Sequence, residues 1–247
     1  MTLLFVLLGC DPGEPVSTEP SDHGHHGDAQ HSGHKMHEGV DGRPHHGGDH
    51  ATVTHRFDDA EKWSEVFDDP ARDAWQKPAE LIAALDIQPG STVSDIGAGT
   101  GYFSAHLSRA VGEQGRVIAV DIEETLVVHM MKRAETEGTA NVSPRLGKPD
   151  NPGLTAEEVD LILLVDTYHH IEGRTEYFTR LLDALKPGGR LVVVDFKPGE
   201  LPVGPPEDHR IPQEKVLSEL TAAGWLPGAS LDVLPHQFVQ VVVKPGA

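Results

Sequence analysis

Val93-Ser94-Asp95-Ile96-Gly97-Ala98-Gly99-Thr100-Gly101-Tyr102-Phe103 decides how the rest of the chain is read. A short strand-like run ends at Ile96, glycines follow at alternate positions, and a helix begins at once. Glycines let the backbone approach a ligand closely, and a helix start presents N–H groups that have no partner within the helix. Dinucleotide enzymes use such a turn with the spacing G-x-G-x-x-G and seat a pyrophosphate above the helix start. Here the spacing is G-x-G-x-G and a carboxylate, Asp95, precedes it. An acid at that point repels a pyrophosphate but suits a ligand carrying an ammonium and a sulfonium.

The chain on either side predicts the setting of this turn. Upstream, Trp63, Val66 and Phe67 fall at i, i+3 and i+4, one face of a helix that Asp69-Pro70 ends. A second helix is predicted over Trp75–Leu85, with Leu81, Ile82 and Leu85 as its stripe and Gln88-Pro89-Gly90 as the turn after it. Downstream, strand and helix alternate. Thr92–Ile96, Arg116–Val120, Val142–Leu146, Val159–Val165 and Leu191–Val194 read as strands, the third interrupted by Pro144. Tyr102–Val111, Thr125–Glu137, Glu176–Leu185 and Pro212–Ala223 read as helices. Val159–Val165 is almost purely apolar, as a strand buried on both faces must be. Leu231–Leu234 and Phe238–Val243, flanking Pro235-His236, read as a closing antiparallel hairpin. This alternation predicts an α/β fold with a doubly wound, mostly parallel sheet and helices on both faces.

Asp95-Ile-Gly97-Ala98-Gly99-Thr-Gly101 resembles motif I of class I S-adenosylmethionine-dependent methyltransferases, and the similarity continues along the chain. Val117-Ile-Ala-Val-Asp121 resembles the second strand of that family, ending in the acid that binds both ribose hydroxyls. It lies roughly twenty residues beyond the glycines, the distance that ribose recognition requires. Val159–Asp166 resembles the fourth strand, and Leu185-Lys-Pro187-Gly188-Gly189 with the apolar run after it resembles the turn into the fifth. The resemblance implies a Rossmann-like sheet of seven strands with the last one antiparallel, and S-adenosyl-L-methionine as cofactor. It places Asp95, Gly97, Ala98, Gly99, Gly101, Asp121, Ile122 and Asp166 at the cofactor, with Asp150, after the third strand, near the adenine amino group.

Asp166-Thr167-Tyr168-His169-His170 lies at the end of the fourth strand, where open α/β sheets bind their ligands. Asp166, His169 and His170 are the candidate catalytic residues, able to take a proton from the acceptor or orient it. A carboxylate and two imidazoles can alternatively hold a metal. Substrate choice in this family usually lies in the N-terminal helices and after the fifth strand, here Trp63, Phe67 and Trp75 and the segment from Asp195 to His209 and Arg210. Trp63 and Phe67 equally fit a packing role.

The formal net charge of −19 and the lack of any basic run exclude nucleic acid as a partner and point to a small-molecule acceptor. One cysteine, Cys10, rules out an intrachain disulfide and a cysteine-based zinc site. Leu3-Leu4-Phe5-Val6-Leu7-Leu8-Gly9-Cys10 resembles the end of a bacterial lipoprotein signal, although no basic residue precedes the apolar run. The resemblance implies membrane anchoring through a lipidated Cys10 and a cell-envelope location; a cytoplasmic one is the alternative. S-adenosylmethionine is made in the cytoplasm, so export and cofactor supply pull apart. Residues 11–55 are rich in Gly, Pro, His, Asp and Ser and bury too little to offset their ordering entropy, which predicts a disordered linker. The methyltransferase-like domain is then 56–247. His23, His25, His26, His31, His34 and His37, with His45, His46 and His50, make the linker a candidate binder of divalent metal ions, at no fixed spacing. Two rival readings remain: a non-catalytic member of the fold acting in the envelope, and a metal-handling protein acting through its His-rich tail. Titration of the full chain with Ni or Zn is expected to show several weak sites that vanish on deleting residues 22–50, with cofactor binding retained. A single tight site surviving the deletion would place the metal at Asp166, His169 and His170 instead.

Overall fold

A computed structural model describes residues 60–246. The Cys10 anchor, the tail histidines, and the boundaries at 10 and 55 lie outside the described residues.

Seven strands form one sheet in the order β3-β2-β1-β4-β5-β7-β6. In chain order they are β1 (Thr92–Ile96), β2 (Arg116–Asp121), β3 (Val142–Leu146), β4 (Val159–Val165), β5 (Leu185–Phe196), β6 (Leu226–Leu231) and β7 (Gln237–Val243). The first five are parallel to one another, and β7 runs antiparallel to both β5 and β6. The expected doubly wound sheet is therefore present, with its antiparallel strand last in the chain.

The two faces follow from the alternation of side chains along each strand. In β4, Leu161, Leu163 and Val165 pack with Leu81, Leu85, Phe103 and Leu107 on one face. Ile162 and Leu164 pack on the other with Phe178, Leu181, Val216, Leu220 and Trp225. Helices α3 (Pro78–Ala84) and α4 (Tyr102–Val111) thus cover the first face. The second lies under α6 (Arg174–Ala184) and α7 (Gln213–Ala222). Helix α5 (Glu124–Glu137) adds Val127 and Met130 against Ala98 and Ala119, and ends at Gly138 as the sequence predicts. Pro144 is tolerated because β3 is an edge strand with β2 as its one neighbour.

Three expectations are corrected. The helix expected over Trp75–Leu85 is divided between the short α2 (Asp73–Gln76), which follows a 3-10 turn at Pro70–Arg72, and α3, because Lys77 takes φ 42°. Pro78 disfavours the right-handed helical conformation for the residue before it. Val66 does not share the buried face of α1 (Ala60–Phe67); it is exposed, whereas Trp63 and Phe67 are half-buried and their rings stack at 5.3 Å. The hairpin strand expected at Leu231–Leu234 instead occupies Leu226–Leu231, and Leu234 is buried from the loop beyond it. Pro227 and Gly228 disguise β6 as a turn, yet as an exposed edge strand it can hold both.

Candidate active site

The parallel register brings the ends of β1, β2, β4 and β5 to one edge of the sheet, and this edge holds the chemistry. Between β1 and α4 the turn has Gly97 at φ 74° and Gly99 at φ 59°, conformations that favour glycine. A Cβ on Gly97 would overlap the Thr167 side chain, and one on Gly99 would sit 3.4 Å from the Phe67 ring. The N–H groups of Gly97 and Ala98 donate to the Val120 carbonyl at 2.8 and 3.0 Å, which ties the turn to β2. Gly101 starts α4 in a left-handed conformation with no side-chain cap.

Asp121 ends β2 beside this turn. One carboxylate oxygen accepts from the Gly99 N–H at 2.8 Å and the other from the Glu123 N–H at 3.0 Å. Burial pushes its pKa up against those hydrogen bonds. Asp95 is 2% exposed and takes a hydrogen bond from Ser104 Oγ at 2.6 Å, so it braces the start of α4 from beneath the turn. Burial, opposed by that bond and assisted by the Asp121 charge, raises its pKa to about 6. Ile122 is exposed immediately after Asp121. Asp150 lies farther out, in the turn after β3, with its carboxylate 3.9 Å from the Arg180 guanidinium and largely exposed. The structure therefore gathers Asp95, Gly97, Ala98, Gly99, Gly101 and Asp121 into one cradle, whereas the side chain of Asp150 pairs with Arg180.

The other half of the edge is built on β4 and β5. Asp166 follows β4 with φ 55°, a conformation uncommon for a residue with a side chain. Its carboxylate accepts from Gln76 Nε2 at 2.9 Å and from Gln237 Nε2. Burial, then the neighbouring Asp195 charge, pushes its pKa up to about 6. His169, within the 3-10 turn Tyr168–His170, directs Nδ1 at both oxygens of Asp195, 3.0 and 2.9 Å away. His169 is 8% exposed and Asp195 is fully buried. Burial lowers the imidazole pKa, but the Asp195 bond and charge, with the Asp166 charge, outweigh it and the net shift is upward. His170 is half-buried with its ring 4.2 Å from that of His169. Among the described residues, no three His, Cys, Asp or Glu are grouped so as to hold a metal ion.

Gln76 and Gln237 were not singled out by sequence, and Asp195 only as the start of the segment after the fifth strand. Asp195 carried a signal, since an acid directly after Leu191–Val194 sits at a strand end just as Asp166 does. The two glutamines carried none; tertiary packing alone brings them to Asp166. Arg210 is not part of the edge chemistry: it is buried and donates to the carbonyls of Pro205 and Gly199, closing the loop after β5. The N-terminal segment closes over both halves. Asp68 accepts from Thr100 Oγ1 and Arg133, Asp73 from Tyr102, and Trp75 lies 5.8 Å from the Phe196 ring.

The cradle fits a cationic adenosyl ligand: glycine backbone for close approach, a carboxylate at ribose distance in sequence, and acids where a phosphate would be repelled. A family model described as "Methyltransferase domain" matches residues 87–230. The ubiquinone/menaquinone biosynthesis C-methyltransferase UbiE of Hydrogenovibrio crunogenus is 30% identical over 129 residues, 49% of this chain and 48% of that one. Its counterpart in Azotobacter vinelandii is 32% identical over 131 residues, 50% and 49% of the two chains. The chain thus spans about half the length of the curated relatives it matches. A SAM-dependent methyltransferase structure from Aquifex aeolicus superimposes with a TM-score of 0.71 at 27% identity, covering 75% of this chain and 98% of that one. If Asp121 binds the ribose, Asp121→Ala removes charge-assisted hydrogen bonds worth about 1.5–3 kcal/mol each. Calorimetry should then show S-adenosylmethionine affinity reduced roughly ten- to a hundredfold. Unchanged affinity in a folded variant would contradict the assignment.

Proposed function

The chain belongs to the methyltransferase-domain family, with S-adenosylmethionine as its cofactor, and from that premise we propose that it methylates a small-molecule acceptor held at the ends of β4 and β5, with His169 receiving the acceptor's proton. The observation that carries this reading is the buried His169–Asp195 pair at the ligand edge of the sheet. The relatives named above are C-methyltransferases of quinone biosynthesis, but they share only about half their length with this chain, so the acceptor atom is left open.

The bound cofactor supplies a methyl carbon already activated by its sulfonium, so the protein's tasks are alignment and proton removal. The cradle from Gly97 to Gly101 would hold the cofactor end, with Asp121 as the acid for the ribose. Asp195 accepts the Nδ1 proton of His169 and so fixes the tautomer in which Nε2 carries the lone pair. Nε2 would then be placed to take the proton of the acceptor's nucleophilic atom as that atom gained the methyl group, the carbon–sulfur bond broke and S-adenosylhomocysteine left. The imidazolium formed is stabilised by Asp195, as the aspartate of a catalytic triad stabilises its histidine. The two hydrogen bonds from His169 Nδ1 to the buried Asp195 favour His169 as the base.

The upward shift at His169 sets the pH dependence. The base works when neutral, so activity should rise with pH through a pKa above the ordinary 6.5 of histidine. An acceptor is to be found by screening for release of S-adenosylhomocysteine. His169→Gln is then expected to lower the rate about 10²–10⁴-fold, to abolish the acid limb, and to leave cofactor affinity unchanged. Wild-type turnover by this variant would make the histidine structural and leave catalysis to alignment alone.

A further inference from the structure

The groups lining the edge beside His169 narrow the acceptor's chemistry. They are oxygen acceptors. Asp166 is fixed at the crest of β4 by two glutamine amides, and Asp195 lies buried on the next strand. Gln237 is 1% exposed and gives its NH2 to Asp166, while its own carbonyl oxygen Oε1 is buried with no hydrogen-bond partner among the described residues. Both atoms sit on one amide carbon, so the unpartnered oxygen lies beside the Asp166 carboxylate. A buried carbonyl without a donor carries a desolvation cost that an arriving donor removes.

Four cations near this end of the sheet are committed to protein oxygens. Arg72 donates to Gln76 Oε1 and the Phe67 carbonyl, and Arg174 to Glu219 and the Ile171 carbonyl. Lys197 donates to the Leu234 carbonyl and Arg210 to those of Pro205 and Gly199. Among the described residues, none of the four hydrogen-bonds to or ion-pairs with Asp166 or Asp195. An incoming carboxylate or phosphate would therefore meet two carboxylates and a bare carbonyl, while the Arg72 and His169 charges nearby are already set against those carboxylates. A molecule with O–H or N–H groups would find acceptors already oriented. Trp75, next to Gln76, and Phe196, next to Asp195, add an aromatic wall for a flat apolar body.

We infer that the acceptor is a small neutral or cationic molecule presenting hydroxyl or amine donors to Asp166 and Gln237, and that carboxylate- and phosphate-bearing molecules are excluded from this subsite. The inference rests on the methyltransferase reading above. It is tested on the full chain saturated with S-adenosylhomocysteine, using catechol, benzylamine and benzoate as probes in ligand-observed NMR. The probes share a ring and differ in the polar group. At least one donor probe is expected to bind about tenfold or more tighter than benzoate, and the preferred one tells hydroxyl from amine. Gln237→Leu, which removes the bare oxygen, is expected to erase that preference while S-adenosylhomocysteine binding persists. Benzoate binding as well as the donors, no binding by either donor, or an unchanged preference in Gln237→Leu would overturn the inference. So would loss of S-adenosylhomocysteine binding in Asp166→Asn, because the carboxylate would then serve the cofactor's ammonium. Failure of the wild-type chain to bind S-adenosylhomocysteine at all would instead defeat the methyltransferase reading on which the inference stands.

Discussion

Four neighbouring parallel strands each deliver one aspartate to the same edge: Asp95 from β1, Asp121 from β2, Asp166 just past β4 and Asp195 from β5. Parallel pairing makes this unavoidable once the apolar runs are in register, because every strand then ends on the same side. Carboxylates so placed lose water, and the desolvation that penalises the charged form outweighs the Arg72 and His169 charges acting on Asp166. Burial is accordingly the largest cause of the upward shifts at Asp95, Asp121 and Asp166. The sign for stability follows. A carboxyl whose pKa rises on folding favours the folded state while it is protonated, and that advantage is lost as pH climbs from the ordinary value near 4 to the folded one near 6. At neutral pH the free protein thus holds an electrostatic penalty that a cationic ligand relieves.

The remaining structure manages that penalty. Backbone N–H groups of Gly99 and Glu123 satisfy Asp121, a hydroxyl satisfies Asp95, two amides satisfy Asp166, and an imidazole satisfies Asp195. Fixed dipoles hold the carboxylates in place while leaving the positive charge to be supplied by cofactor and substrate. The N-terminal segment does the same mechanically. Asp68, bonded to Thr100 and to Arg133, and Gln76, bonded to Asp166, tie it to the cofactor turn and to the acceptor edge at once. The Asp68–Arg133 pair is partly exposed and worth little alone, whereas Gln76 is buried; together they orient the segment.

Sequence showed most clearly what depends on local chemistry. The glycine turn, the buried β4 and the acid ending β2 were legible because each needs particular residues at fixed spacing: glycines for the turn, a continuous apolar run for a strand buried twice, a carboxylate about twenty positions on. The break at Lys77 was missed because the stripe Leu81, Ile82, Leu85 lies wholly after it, and only Pro78 betrays it. The strand β6 was displaced because an exposed edge strand carries no apolar alternation. At the site, His169 could be named, but not distinguished from His170, since the choice between adjacent imidazoles is made by Asp195, 26 residues away. Gln76 and Gln237, 90 and 71 residues from Asp166, are further still beyond any local signal.

The central claim, that a desolvated acidic edge awaits a sulfonium cofactor, is tested most directly by calorimetric titration of the full chain with S-adenosylmethionine near pH 6 in buffers of different ionisation enthalpy. A cation arriving beside carboxyls that titrate near 6 must lower their pKa values, so binding is predicted to release protons at pH 6 and almost none at pH 8. Absence of binding, or binding at pH 6 with no proton release, would contradict the account.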